Sequence, residues 1–375
     1  MPLCMLMLNS LGSFSQAKEQ KIENIYSFAK LYGYVRYFYP GDESASLDWN
    51  KFFYYGIKKV EKAKNPTELE TILNELYLPI APGIEIFKKD SKRKINLNRI
   101  IPKDTVGLKI ITWQYYGYTE RNHYLYSNLR TNRSKSGRDT IVNLFPDNPE
   151  FGSYFVKDIG NELSCFVPLA LYSISDKTFP QPFKDNFDEL ISFINQSSED
   201  TLDEKYIRFS ALVKCWNVLK NFYPYFKEVG LDWEAELYPA LAACYEIKDT
   251  HEFTRFLEKL TAKLKDGHVE VASKIENWER FLPPFSWRWV ENNIIISETF
   301  DESIPVKKGD IIIEINDLPA LDFLERKEQY YSASTNANLR NQTLNWLLWQ
   351  KRDTEWKLKI KNKEGQFETV ILKHN

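Results

Sequence analysis

At 375 residues the chain is too long for one ordinary core, and at roughly 100–200 residues per domain it calls for about two to four of them. Its 43% hydrophobic and 15% aromatic residues can fill such cores, and 27% charged residues at a net charge of −2 exclude a disordered chain. Lysine and arginine are spread along the length without a dominant basic block, which argues against nucleic acid or an anionic membrane surface as the main partner.

The chain opens with the apolar run Leu3-Cys4-Met5-Leu6-Met7-Leu8, and Ser15-Gln16-Ala17 then offers a small-x-small cleavage site before Lys18. Residues 1–17 read as a signal peptide lacking its basic start, with an ordinary frayed terminus as the alternative. The expectation is export to the periplasm or beyond, with no membrane span, because no other stretch approaches ~18 consecutive apolar residues.

Residues 18–92 form the first helical unit. Ile25, Phe28, Ala29, Tyr32 and Val35 recur at three-and-four spacing, the mark of one buried helix face. Phe38-Tyr39-Pro40 stops that helix, since proline cannot continue the ladder and disfavours helix in the residue before it. Leu47-Asp48-Trp49 then opens a second helix with Asp48 as its cap, and a third follows Asn65-Pro66.

The same pattern returns at residues 205–275. Phe222-Tyr223-Pro224 and Leu231-Asp232-Trp233 both sit 184 residues after their counterparts, without a gap. Two identities in one register read as an internal duplication. The copies differ where the third helix ends. Pro82-Gly83-Ile84 in the first is matched by Asp266-Gly267-His268 in the second, followed by the strand-like Val269-Glu270-Val271, so packing does not demand the histidine.

Between the copies, residues 93–175 change to strand-like runs such as Val106–Ile111 and Thr140–Phe145, and read as a small β domain. Its aromatic stretch Trp113–Tyr118 and basic stretch Tyr124–Arg138 read as ordinary strands and a solvated loop at Ser134–Arg138, with a carbohydrate or peptide surface as the alternative. Residues 176–204 read as a linker with one short helix.

Residues 276–375 show short strands at Trp287–Val290, Asn293–Ile296 and Lys308–Asp317, then a helix carrying Leu339, Leu344, Leu347 and Leu348. A closing hairpin alternates Trp356, Leu358 and Ile360 with lysines before a turn through Asn362–Gly365. Gly309-Asp310-Ile311, then Ile315-Asn316, resembles the signature of PDZ domains. That resemblance implies a protein or peptide partner bound by strand addition to a sheet edge; a ligand-free spacer is the alternative.

Cys165, Cys215 and Cys244 show neither disulfide nor zinc spacing and are expected to be buried small hydrophobes. His123, His251, His268 and His374 likewise lack ligand spacing, so no metal and no cofactor is expected. The fold class is therefore α+β and multidomain: two repeated helical units, a small β domain between them and a C-terminal PDZ-like domain.

A helical unit with Phe-Tyr-Pro, Leu-Asp-Trp and a terminal Asp-Gly-His, followed by a PDZ-like module, resembles the front of tricorn-like serine peptidases of the C-terminal-processing class. The resemblance implies that His268 is the general base, serving a nucleophilic serine on an α/β core domain. The family often carries serine where this chain has Gly267. No G-x-S-x-G elbow occurs in the sequence, and Ser332-Ala333-Ser334 falls inside the PDZ-like region. The expectation is the substrate-handling portion of an exported peptidase, inactive by itself as a fragment, or a natural non-catalytic peptide-binding relative. Asp266 reads as a turn residue rather than a catalytic acid.

Overall fold

The computed structural model describes residues 3–91, 94–118, 127–130, 147, 149–196, 203–272 and 279–374. The expected strand Thr140–Phe145, the Ser134–Arg138 loop and His123 lie outside them. The chain divides into two compact units, one holding residues 1–223 and 233–246, the other residues 224–232 and 247–375. The fold is mixed α and β.

The first unit opens with α1 (Leu3–Phe38), followed by α2 (Asp42–Ser46), α3 (Trp49–Val60) and α4 (Pro66–Tyr77). Backbone helix runs through Ser15-Gln16-Ala17 without a break. Asp48 caps α3 by accepting from the Asn50 and Lys51 N–H groups, and Asn65 caps α4 by accepting from Glu68 N–H. Glu68 reciprocates to Lys64 N–H at 2.9 Å, completing a capping box.

Strands follow: β1 (Glu85–Lys88), β2 (Lys109–Tyr116), β3 (Ser127–Arg130), β4 (Tyr154–Gly160), β5 (Leu163–Pro168), β6 (Ala170–Ile174) and β7 (Lys177–Thr178). They form two antiparallel sheets, β1-β5-β4 and β3-β2-β6-β7. Every residue of β5 is buried, as a central strand covered by a helix should be. Here the packing departs from the division expected at residue 93. Glu85–Lys88, placed in the helical unit by sequence, pairs with β5, and α1 lies on β4 with Tyr34 edge-on to Phe155 at 5.3 Å. A three-stranded sheet has too little apolar surface to close a core alone, so it shares that of α1.

The unit is completed by α5 (Lys184–Asn195), α6 (Glu204–Phe222) and, after α7 (Phe226–Val229) of the other unit, α8 (Trp233–Glu246). Helix α5 docks on α3 by stacking Phe193 on Tyr55 at 5.7 Å. Helices α1 and α6 cross closely at Gly33, where a β-carbon would meet Asn217 Oδ1 at 1.7 Å. Asn217 uses that space to donate to Ala29 and Val213 carbonyl oxygens at 2.9 and 3.0 Å. Gly33 and Asn217 are themselves 184 residues apart, as are the starts of α3 and α8.

The second unit holds α7 and α9 (Thr250–Ala262), then β8 (Phe285–Val290), β9 (Asn293–Thr299), β10 (Ile311–Ile315), β11 (Leu318–Pro319), α10 (Ala320–Glu328), α11 (Asn336–Leu347), β12 (Glu355–Lys361) and β13 (Phe367–Lys373). Asp249 caps α9 with the same box geometry as Asn65 on α4, accepting from Glu252 N–H while Glu252 accepts from Lys248 N–H. The sheet order is β13-β12-β10-β9-β8 with β11 paired to β10. Its core stacks Trp287 on Trp356 at 4.6 Å, and Trp287 Nε1 donates to the Leu344 carbonyl of α11 at 2.8 Å. Asn316 and Asp317 turn the β10–β11 hairpin at positive φ. Helix α10 was not foreseen, and the expected strand Val269–Val271 is irregular backbone, finding no ladder partner among the described residues. Helix α9 likewise falls in this unit while α6 and α8 belong to the first.

Cys165 and Cys244 are buried and Cys215 is half-buried, all as free thiols. Burial pushes them up to about 12, 12 and 11 respectively, so none is a thiolate at neutral pH.

Candidate functional site

His268 lies just beyond α9, in a loop that leaves the helix through Lys265 at positive φ. Asp266 shapes that loop. Its Oδ1 accepts the His268 backbone N–H at 2.9 Å and meets the ring Nδ1 at 3.0 Å, while its own N–H donates to Ser332 Oγ at 2.8 Å. Ser332 is only 4% exposed, so a buried residue ties down the loop.

The His268 side chain is 99% exposed. With Nδ1 engaged by a carboxylate, Nε2 is the ring nitrogen that this contact leaves open. Asp266 thus does more than end a helix, because it also holds the imidazole. Among the described residues a β-carbon at Gly267 would meet Asn338 Nδ2 alone, at 3.7 Å, an ordinary contact that leaves room for a serine.

His268 stands at the edge of a cleft of about 600 Å³ within the second unit. Cations lie over its aromatic walls: Arg255 and Lys259 over Tyr330 at 5.5 and 5.0 Å, and Arg280 over Trp346 at 5.5 Å. Glu258 takes Arg255 at 2.7 Å. Burial pushes the Tyr331 hydroxyl up to about 12, leaving it protonated. Ser332 lines the cleft, and its Oγ accepts from the Asp266 N–H. The cleft thus presents aromatic and cationic walls, with the imidazoles of His251 and His268 among its lining.

Sequence reasoning singled out His268 but none of the cleft walls. Arg280, Tyr330 and Trp346 converge only through tertiary packing and carry no local spacing signal. Among the described residues no three His, Cys, Asp or Glu side chains gather as a metal-holding group, and no helix is long and apolar enough to cross a membrane.

No protein-family model and no curated protein matches the chain. Among solved structures, mature CPAF is weakly similar, with TM-score 0.37 and 16% identity over 44% of this chain and 34% of that one. Mature CPAF complexed with lactacystin gives TM-score 0.38 at the same identity and coverage. The chain spans about a third of the length of these structures.

Proposed function

We propose that this chain handles protein substrates in an exported serine peptidase of the tricorn-like, C-terminal-processing kind. In this reading residues 276–375 are a PDZ-like module, residues 18–92 and 205–275 descend from one duplicated helical unit, and His268 is the general base for a serine carried on an α/β core domain. The supporting observation is the presentation of His268. A base that serves another domain has to stand at a surface with one nitrogen free, and its orientation has to be set by a second group. His268 is exposed, and Asp266 holds its Nδ1.

The test uses the native gene product, assayed for peptide hydrolysis and for labelling by a serine-directed fluorophosphonate. His268→Ala should lower turnover by several powers of ten, on the pattern of serine–histidine pairs, while peptide binding persists. Unchanged turnover would move the base elsewhere. Peptide binding without hydrolysis in the unmutated protein would select the second reading, a non-catalytic peptide-binding or scaffold protein. Residues 18–375 expressed alone should neither hydrolyse peptides nor label at a single serine.

A further inference from the structure

A second cleft, of about 320 Å³, lies wholly within the first unit, where α1, the start of α3 and β2 meet. Trp113 and Tyr115, two apart on β2, share one face and stack at 5.7 Å with their planes 26° apart. Trp113 is fixed by its Nε1, which donates to the Tyr39 carbonyl at 3.1 Å. Tyr118 and Trp49 add further aromatic wall.

Arg36 of α1 points its guanidinium into this setting. Nη1 donates to Tyr32 Oη at 2.5 Å and Nη2 to Tyr118 Oη at 3.4 Å, and the guanidinium carbon stands 5.6 and 5.3 Å from the ring centres of Tyr32 and Tyr37. All of these partners are neutral. Among the described residues no carboxylate pairs with Arg36. The acid that lines the cleft, Asp48, has Oδ1 committed to the Asn50 and Lys51 N–H groups at the start of α3.

A second group in the cleft is also poorly matched. Tyr37 is 2% exposed, and its ring lies edge-on to Tyr115 and Tyr118; its buried hydroxyl has the Tyr118 hydroxyl within reach but no hydrogen bond of good geometry. A largely enclosed cation that meets no carboxylate among the described residues, and a buried hydroxyl with only a poorly placed partner, are each costly. Together, beside an aromatic platform, they define a complementary ligand: an anion to meet the guanidinium fork and accept from the hydroxyl, joined to a flat or ring-shaped body that stacks.

We propose that this cleft binds a small ligand bearing a carboxylate on a six-membered ring, with the carboxylate held by Arg36 and Tyr37 and the ring laid against Trp113 and Tyr115. Aromatic carboxylates and acidic sugars share that chemistry. The space suits one ring rather than a polymer segment.

Isothermal titration of the full chain with benzoate and with D-glucuronate separates the two sources, with benzamide and D-glucose as neutral counterparts and inorganic phosphate as a ringless anion. One carboxylate should bind at least about 10-fold more tightly than both its neutral counterpart and phosphate, and which one does so names the source. Arg36→Gln should weaken that binding roughly 10- to 100-fold, and Tyr37→Phe, which keeps the ring, a few-fold. Circular dichroism and thermal melting would establish that each variant is folded. Should Arg36→Gln fail to fold, protection of Arg36 from phenylglyoxal by the bound carboxylate in the unmutated chain takes its place. Equal binding of charged and neutral counterparts, no binding of either carboxylate, undiminished binding in folded Arg36→Gln, or unprotected Arg36 would each overturn the proposal.

Discussion

Trp216 and Trp233 clasp each other: the Trp216 indole N–H donates to the Trp233 carbonyl at 2.9 Å, and the Trp233 indole N–H donates to the Trp216 carbonyl at 3.0 Å. Both rings are 2% exposed, so each large apolar surface is buried with its one polar atom satisfied. The clasp joins α6 to α8. At the positions 184 residues earlier, Tyr32 and Trp49 meet edge-on at 5.2 Å, and Trp49 Nε1 instead finds the Ser44 carbonyl at 2.9 Å.

Trp233→Ala should therefore cost about 3–5 kcal/mol, by loss of buried area plus a cavity. Trp233→Phe should cost about 1–3 kcal/mol, largely because the Trp216 carbonyl loses its donor. Native-state hydrogen exchange of α6 and α8 amides measures both. Equal protection in Trp233→Ala and the unmutated chain would show that the clasp carries no stability.

Glu61 ties three helices of the first unit together. It accepts from the Tyr206 hydroxyl at 2.7 Å, from Lys205 Nζ at 3.0 Å and from the Tyr245 hydroxyl. Burial alone would raise its carboxyl, but the hydrogen bonds from Tyr245, Tyr206 and Lys205 outweigh burial and hold it below the ordinary value of 4.5. A carboxyl lowered on folding contributes stability that is present above its unfolded value and lost as pH falls through the folded one. The first unit should thus weaken below about pH 4.5. Glu61→Gln should flatten that part of the stability–pH curve and cost roughly 2–3 kcal/mol at neutral pH. An unchanged acid limb would assign the loss to other groups.

The Asp266 contact fixes which nitrogen of His268 carries the proton. Nitrogen-15 chemical shifts of the neutral ring should report hydrogen on Nδ1 and a bare Nε2, and Asp266→Ala should return the ring to a mixture of tautomers. A ring with its hydrogen on Nε2 in the unmutated protein would remove the orientation on which the proposed base depends.

The outer edge of β8 is partly blocked. Asn341 of α11 accepts from the Trp289 N–H at 3.1 Å, and the Arg340 guanidinium lies 4.3 Å from the Trp289 ring centre. If peptides add as a strand to this edge, they have to displace both. Asn341→Ala should then raise peptide affinity by roughly 3- to 10-fold, since it removes a competitor of about one hydrogen bond. Weaker binding in Asn341→Ala, read by fluorescence polarisation, would place the peptide elsewhere and make Asn341 a direct contact.

What the sequence determined by itself is local and periodic. Helix stops at Phe38 and Phe222, the Asp48 cap, the paired boxes of Asn65 and Asp249, and the alternation of Trp356, Leu358 and Ile360 follow from residues within one or two turns of each other, where proline geometry, side-chain caps and a two-residue pleat act directly. The regular offset was legible for the same reason, because it compares local patterns. Tertiary structure decided which surfaces those patterns share. Glu85–Lys88 joined the strands rather than the helices, since a small sheet needs the apolar face of α1 to bury β5. The expected strand at Val269–Val271 formed none, since a strand requires a partner and not a propensity alone. Arg36 and Tyr37 looked like any stretch of an amphipathic helix, and only the approach of Trp113 and Tyr115, some 76 or more residues away, set a guanidinium and a buried hydroxyl beside an aromatic platform.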